Sequence, residues 1–582
     1  MLGMIGLASP AYAQQDPLAP LSEEEARKPV EQAPPPRVVS VQPKLAPPLV
    51  VAPVQVPRDW RGVFGAIRSG NWAAARAGIA SLPPSVLTPV AKAELYTAKG
   101  SPVVELASLQ SLLAEAPELP QAEQLARMAV TRGATIAPTF VPTRRLVDLG
   151  SPPARYRARP VQGDPAADQL RAALEPLVDA NDAAGAEALL IQSGALLTLP
   201  ARAEAAQRVA WLYYAIGADA DARRVADTWR VGAGGDWAPQ AAWISGLAAW
   251  RQGDCEAAST AFREVAATSP QREMRAGAYY WAARSEQACR RPRSVAPLLR
   301  AAATSAESFY GLLARETLGM DTHLPPDPHS FAAHVENHPN VRRSVELVKI
   351  GERALAEEML RHQAKIGSPA EHHGLIEFAK RLELAGAQYW LANNGQPGAV
   401  SDAVDRYPNP RWAPVAGWRV DPALAFGHII QESTFKTHAV STAGAVGLMQ
   451  VRPGTASDLA RARNLPFSTA ALTDPKMNLE FGQGFIEMMR RSSATGGQLP
   501  RIVASYNAGP VPVSRWAAIN DKGDPLLWIE SIPYWETRYY VPAVLRNMWV
   551  YQGIARAETP SLKSMAQHRW PAFPTAHTTL SH

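Results

Sequence analysis

Between Trp60 and about Met320 the apolar positions fall in Ala- and Leu-rich stretches set among Arg and Glu, and Gly and Pro are held to short breaks. That pattern predicts packed helices. It also repeats. Trp211, Tyr213 and Tyr214 precede a turn at Gly217, and 36 positions later Trp250 precedes a turn at Gly253, each followed by a second Ala-rich helix. Gly70-Asn71-Trp72-Ala73-Ala74-Ala75 reads as an earlier, weaker copy. A period near the ~34 residues of tetratricopeptide-type hairpins predicts stacked helix pairs that bury their apolar stripes against their neighbours. The expected product is an α-solenoid over residues 59–325, separate from the domain that carries the chemistry. Tyr213, Tyr214, Trp250, Tyr279, Tyr280 and Trp281 stand at helical spacing and are assigned to its core.

Cys255 opens the helix after Gly253, and Cys289 closes the helix after Ser269-Pro270. In an antiparallel hairpin turning near Pro270 the start of the first helix lies beside the end of the second, so a Cys255–Cys289 disulfide is expected in an oxidising compartment. Residues 326–409 stay helical, as in Glu352 to Leu360, with Pro-bearing joints at each end, and are assigned to a small helical linker domain.

From Asp421-Pro422 the pattern changes. Asp accepts from free backbone N–H groups and Pro suits the first helical position, so a helix starts there. Its interior, Leu424, Ala425, Phe426, Ile429 and Ile430, is apolar nearly all round, which predicts burial. Glu432 follows Ile429 by three positions and Ala425 by seven and shares their face. Burial should raise the pKa of such a carboxyl and suit it to act as a general acid, although a frayed helix end facing water reads equally well from this segment alone. Ser441 to Gln450 carries Gly444 and Gly447 and is too irregular for a helix, predicting a tight loop or small β-hairpin. Helices restart at Pro453 and at Asp474-Pro475, the latter with Phe481, Phe485 and Met489 at core spacing, and Gly509-Pro510 stops a third.

The two ends differ from the body. Met1 to Ala13 is a short apolar run closing with Ala11-Tyr12-Ala13, which reads as a truncated signal peptide. Residues 14–58 form a Pro-rich disordered linker, with 11 prolines between Asp16 and Pro57, and residues 559–582 a flexible tail. Over all 582 residues 47% are apolar and 19% charged, so the chain is globular rather than a disordered polyelectrolyte. Lys plus Arg at 59 against Asp plus Glu at 53 leaves a net charge of +6, too dilute for a nucleic-acid binder. No apolar run reaches the ~18 residues of a membrane span, and two cysteines exclude a four-thiolate zinc cluster. No metal or cofactor is expected.

Four ordered blocks carry a resemblance. They are Gln431-Glu432-Ser433, then Gly444 to Gln450 with Pro453-Gly454-Thr455-Ala456, then Ser505-Tyr506-Asn507-Ala508-Gly509-Pro510, then Trp528 to Val541. Together they resemble the family 1 lytic transglycosylases, the glycoside hydrolase family 23 group with a goose-type-lysozyme-like fold, and the fourth block has the form found in the large soluble lytic murein transglycosylases. Ser308 to Ala314 is similar to a stretch of their superhelix. The resemblance implies a mainly α protein: an N-terminal superhelix, a helical linker and a lysozyme-like catalytic domain over residues 410–558.

It also implies cleavage of the β-1,4 bond between N-acetylmuramic acid and N-acetylglucosamine in peptidoglycan, with a 1,6-anhydromuramoyl product. By that analogy Glu432 is the single catalytic acid and base, Ser441 binds the N-acetyl group, and Met449, Gln450, Tyr506, Asn507 and Glu536 line the cleft. A two-carboxylate hydrolase would need a partner about 5 to 9.5 Å from the acid; Glu530, Glu536 and Asp474 are candidates, each more simply structural or substrate-binding. Alternatives are a muramidase acting on the same bond and a non-catalytic cell-wall-binding scaffold. Arg452 stands where relatives carry an apolar residue, and either contacts muropeptide or points into solvent. The implied setting is the periplasm, free or at the outer membrane, as a monomer on glycan strands that associates with cell-wall synthesis or envelope machinery. Residues 411–560 hold 15 Lys plus Arg against 11 Asp plus Glu, a surplus that favours anionic polymers.

Overall fold

The computed structural model describes residues 55–324 and 334–574. The signal-peptide reading of residues 1–13 and the Pro-rich linker up to residue 54 lie outside the described residues. Within them the fold is mainly α. The described strands are two short ones, Val147–Asp148 and Asn394–Gly395, paired antiparallel.

Helical hairpins occupy the first half of the chain. Leu199–Ala215 pairs with Asp219–Trp229, Trp237–Gln252 with Cys255–Thr268, and Arg272–Ala288 with Pro292–Ala303, and each pair stacks on the next. The turns at Gly70, Gly217 and Gly253 all have positive φ, near +72°, +86° and +79°, which glycine adopts without Cβ strain. Tyr213, Tyr214, Tyr280 and Trp281 are buried, while Trp250 and Tyr279 are half-buried against the same core. Cys255, first residue of its helix, and Cys289, the residue that caps the next, have Cα atoms 5.5 Å apart and are joined as a disulfide.

The cores divide differently from the sequence reading. One continuous apolar core runs from Ala167 through the hairpins into the carboxyl-terminal unit, ending at Phe573. The expectation of a solenoid separate from the catalytic unit is therefore corrected, because the apolar faces of its helices pack directly on that unit. Phe309 stacks on Trp549 with centroids 5.2 Å apart, and Tyr214 shares a 2.8 Å hydrogen bond with Ser531. At the centre of this junction Glu530 is fully buried. It accepts from Arg155 Nη1 at 2.6 Å and 2.8 Å, from Tyr310 OH at 2.6 Å and from Trp243 Nε1 at 3.2 Å. A carboxylate taken out of water persists only with such a complete set of partners.

A second core joins the amino-terminal helices, Trp60–Arg68 to Ala122–Thr131, to the helices between Pro339 and Asn393. Glu118 pairs with Arg343 at 2.6 Å, and Arg61 Nε donates to the Ile350 carbonyl at 3.1 Å. Residues 326–409 are thus no independent linker domain, and residues 59–131 do not continue the solenoid core. Each set is too small to enclose an apolar centre alone, and the two complete one core between them. The chain between them, residues 134–164, is extended. It crosses from this core, where Arg144 N donates to the Lys365 carbonyl at 2.9 Å, to the carboxyl-terminal unit at the Arg155–Glu530 pair and then to the hairpins, where Val161 N donates to Glu204.

The flexible tail is corrected as well. Residues 559–574 include a helix, Pro560–Ala566, whose Leu562 and Met565 are fully buried, and Ser561 Oγ accepts from Trp549 Nε1 at 2.8 Å. Its short apolar stripe is too slight to stand out in the sequence, yet it fills the core beside Phe309–Thr317. No helix among the described residues is long and apolar enough to cross a membrane.

The disulfide closes a loop of sequence separation 34. A crosslink of that span stabilises by about 2–4 kcal/mol, mainly by restricting the unfolded chain. The Cys289→Ser variant should lose about that much in denaturant unfolding under oxidising buffer. Native and variant proteins unfolding alike would show that the bridge adds nothing.

Candidate active site

The site is built on two crossing helices, Pro422–Glu432 and Trp535–Ile554. Asp421 Oδ1 accepts from Ala423 N at 2.9 Å and Oδ2 accepts from Gln552 Nε2 at 2.8 Å, so the cap that starts the first helix also anchors it to the second. Where they cross, Gly427 meets backbone. A Cβ there would lie 3.0 Å from the Val544 carbonyl oxygen and 3.2 Å from Met548 N. Absence of a side chain lets the helices approach this closely.

Glu432 is the last residue of its helix. Immediately after it Thr434 and Phe435 take positive φ, 50° and 65°, a strained turn for residues with a Cβ, held by the burial of Phe435. Tyr540 OH donates to Glu432 Oε1 at 2.5 Å, and His428 Nδ1 is 2.7 Å from the same hydroxyl. With the tyrosine proton on Glu432, His428 donates from Nδ1, the tautomer assigned from this geometry. His428 is fully buried, and burial pushes its pKa down to about 3, so it is neutral. The result is a directed relay from His428 through Tyr540 to one oxygen of Glu432. Burial pushes the Glu432 carboxyl up to about 7, opposed by the Tyr540 hydrogen bond and reinforced by the charge of Glu536. The negative end of the helix dipole acts in the same direction. A carboxyl of this pKa is half protonated near neutrality and can give and take a proton in turn.

Tyr506 closes another side. Its ring lies 4.4 Å from that of His428 and 5.0 Å from Phe485, and its hydroxyl donates to the Met449 carbonyl at 2.7 Å. Met449 is buried, its N–H donating to Asn478 Oδ1 at 2.7 Å. The loop around it is a small β-type fold, with bridges Val440–Val446 and Val446–Val451. Ser441 sits in its turn, where Oγ accepts from Ala445 N at 3.0 Å and keeps its proton for a ligand. Gln450 takes a left-handed backbone, φ 47°, and spends its amide nitrogen on the carbonyls of Gly447 and Ala439, leaving its carbonyl oxygen as an acceptor. Asn507 Nδ2 donates to the exposed Glu536 at 3.3 Å, and Thr537 Oγ1 donates to Asn507 Oδ1 at 2.5 Å.

The structure therefore gathers Glu432, Met449, Tyr506, Asn507 and Glu536 around the crossing helices, with Ser441 and Gln450 on the adjoining loop. Other carboxylates are occupied elsewhere: Glu530 in the Arg155 cluster, Asp474 accepting from Met477 N as a helix cap. Arg452 precedes a helix and points into solvent. His428 and Tyr540 are the members that sequence reasoning passed over. Their signal was the four-residue step that puts His428 on the face of Glu432 and Tyr540 on that of Glu536. Away from the cleft His373, Asp402 and Asp405 hold ligand atoms within 4.8 Å of one another, but Lys380 Nζ, 2.5 Å from Asp405 Oδ1, already supplies the cation there.

Comparison with known proteins agrees with this geometry. The Transglycosylase SLT domain family matches residues 414–529, a span that includes Glu432, Ser441 and Tyr506. The soluble lytic murein transglycosylase of Escherichia coli is 27% identical over 252 residues, covering 41% of this chain and 38% of that protein. The endo-type membrane-bound lytic murein transglycosylase A of Klebsiella pneumoniae is 32% identical over 161 residues, 24% of this chain and 79% of that protein. An inactive variant of the lytic transglycosylase Slt from Pseudomonas aeruginosa, a solved structure, shares the fold at TM-score 0.51 and 20% identity over 88% of each chain. The chain thus aligns with little more than a third of the length of its soluble curated relative.

Two outcomes follow from the geometry. Because the folded pKa of Glu432 is raised, the native state holds a proton that the unfolded chain has released, and stability falls as pH rises from about 4.5 to about 7. The Glu432→Gln variant lacks that loss, so it should be the more stable protein in thermal melts at pH 8 and should match the native chain at pH 4; a constant difference across this range would place the pKa elsewhere. Gly427→Ala forces a Cβ against backbone and should cost about 1–3 kcal/mol in denaturant unfolding, where an equally stable variant would mean the helices part freely.

Proposed function

We propose, from the premise that this chain belongs to the lytic murein transglycosylases, that it cleaves the β-1,4 bond between N-acetylmuramic acid and N-acetylglucosamine in peptidoglycan and leaves a 1,6-anhydromuramoyl end. The observation that carries this reading is the Glu432 carboxyl, raised by burial to a near-neutral pKa and oriented by Tyr540, while the other cleft carboxyl, Glu536, is exposed and bonded to Asn507. With Oε1 engaged by the tyrosine, Oε2 carries the acid proton toward the glycosidic oxygen. That proton passes to the departing O4 as the C1–O4 bond breaks. The substrate's own acetamido oxygen supports C1 during departure, so no second protein carboxylate is required. Glu432, now ionised, takes the proton from the C6 hydroxyl, and O6 closes on C1. The proton count balances without water, and the enzyme returns to its starting state.

The remaining cleft residues take supporting roles in this proposal. Ser441 keeps a hydroxyl proton for the N-acetyl carbonyl, Gln450 offers its side-chain oxygen, and Glu536, steadied by Asn507, accepts from sugar hydroxyls. Met449 and Tyr506 form the apolar wall. The substrate places the enzyme where peptidoglycan lies, in the periplasm, and the catalytic unit is residues 410–558 with the helix Pro560–Ala566 packed on it.

Acid-base help of this kind is worth roughly 100- to 10,000-fold in rate. The Glu432→Gln variant should lose turnover on that scale and still bind glycan, and native turnover should fall as pH rises through about 7, where the acid ionises. Muropeptides released by the native enzyme should be lighter by one water than those from a hydrolase. Products that take up borohydride at a reducing end would instead identify a muramidase, and full activity of the variant would relieve Glu432 of its role.

A further inference from the structure

The cleft does not end at the catalytic unit. A cavity of about 250 Å³ adjoins it, lined on one side by Gln431, Glu536 and Tyr540 and on the other by Pro153, Ala154 and Arg155. The latter belong to the extended crossing segment, which is tied down at close intervals. Pro153 accepts from Arg546 at 2.5 Å, Tyr156 exchanges two hydrogen bonds with the Gln271 side chain, Arg159 accepts from Trp237 Nε1 at 2.9 Å, and Val161 donates to Glu204 at 2.7 Å. This wall of the cleft is therefore as fixed as the helices behind it.

On that wall Arg157 is an exposed cation at the edge of the cleft. Arg155 is consumed by Glu530, but Arg157, exposed, forms no ion pair with a described residue. Its guanidinium lies 5.7 Å over the ring of Trp535, the residue next to Glu536, and Trp535 is itself 41% exposed. At this distance the ring face attracts the cation, and no described carboxylate pairs with its N–H donors. Glu204 already serves Arg171 and Arg208, and the charge of Arg157 adds to the burial that lowers the Arg208 pKa. An unpaired planar fork beside a polymer cleft is suited to a carboxylate held by two parallel hydrogen bonds.

We propose that Arg157, beside Trp535, binds a carboxylate of the peptide substituent carried by the glycan strand next to the cleaved bond, so that the enzyme favours strands whose peptides keep that carboxylate free over strands in which it is amidated. The inference rests on the glycan-cleaving reading above and adds to it a recognition element from the crossing segment, outside the catalytic unit. Trp535 supplies the apolar face for the same substituent. Arg157 is a binding residue that touches neither reacting atom.

The test uses full-length protein carrying Glu432→Gln, so that the ligands survive, and soluble glycan oligomers prepared with free peptide carboxylates, with amidated peptides, or without peptides. Calorimetry gives the affinity for each. A partly exposed charge pair is worth about 1 kcal/mol, roughly fivefold. Adding Arg157→Gln should lower the preference for free-carboxylate peptide over amidated peptide about fivefold, Arg157→Lys should give an intermediate value, and the preference in the unaltered Arg157 background should shrink with added salt. Because Arg157 is exposed, both variants should melt with the parent. A preference that stays at the parent value in Arg157→Gln overturns the subsite, and so does a parent protein that does not distinguish the two peptides. The cleavage reading fails separately: if the native enzyme releases no anhydro product while the fivefold drop persists, the subsite stands and the catalytic assignment falls.

Discussion

The contact between the helices Pro422–Glu432 and Trp535–Ile554 at Gly427 is the constraint on which the site depends. Everything that defines Glu432 chemically is a consequence of how near these helices come. Tyr540 reaches the carboxyl, His428 reaches Tyr540, and water is displaced from both because backbone packs against backbone at the crossing. Asn547 Nδ2, donating to the Gly427 carbonyl at 3.2 Å, and Gln552, bonded to Asp421, pin the same crossing on either side. The geometry is thus locked by several weak interactions of different kinds rather than by one strong one.

Burial gives this site a single carboxyl that works in both directions. A titrating group near neutrality needs desolvation, yet a desolvated carboxylate needs at least one donor to remain usable. Tyr540 is that donor, and a neutral His428 behind it fixes the direction of the hydroxyl without adding a charge. A protonated histidine there would favour the ionised carboxylate and pull its pKa down. The same fold treats Glu530 in the opposite way: more completely buried, it is surrounded by Arg155, Tyr310 and Trp243 and serves as a tie between the hairpin array and the catalytic unit.

That tie shows why the helical array and the catalytic unit share a core. Glu530 lies in the short helix Pro525–Glu530 just before the tyrosine helix, and its partners come from the crossing segment and from two hairpin helices. The entry to the tyrosine helix is consequently set by residues hundreds of positions away. The extended segment also joins the core built from the amino-terminal helices and residues 335–391, so all parts of the described chain bear on the same junction.

Much of this was written locally. The Gly217 and Gly253 turns, the Asp421-Pro422 start, the apolar helix leading to Glu432 and the irregular glycine loop are legible because each rests on backbone preferences and spacing within a few residues. The nearness of Cys255 to Cys289 follows from one hairpin. What an apolar stripe cannot specify is its partner. Periodicity states that a face is covered and is silent on what covers it, so the union of the amino-terminal helices with residues 335–391, the shared core of array and catalytic unit, and the docking of Pro560–Ala566 emerged only in three dimensions. The pairing of Glu432 with Tyr540, 108 positions on, belongs to the same class. The sequence by itself marked Glu432 as the carboxyl at the end of an apolar helix; the crossing at Gly427 decided that it would be desolvated and which hydroxyl would hold it, because burial and hydrogen-bond partners are set by tertiary approach and not by spacing along a chain.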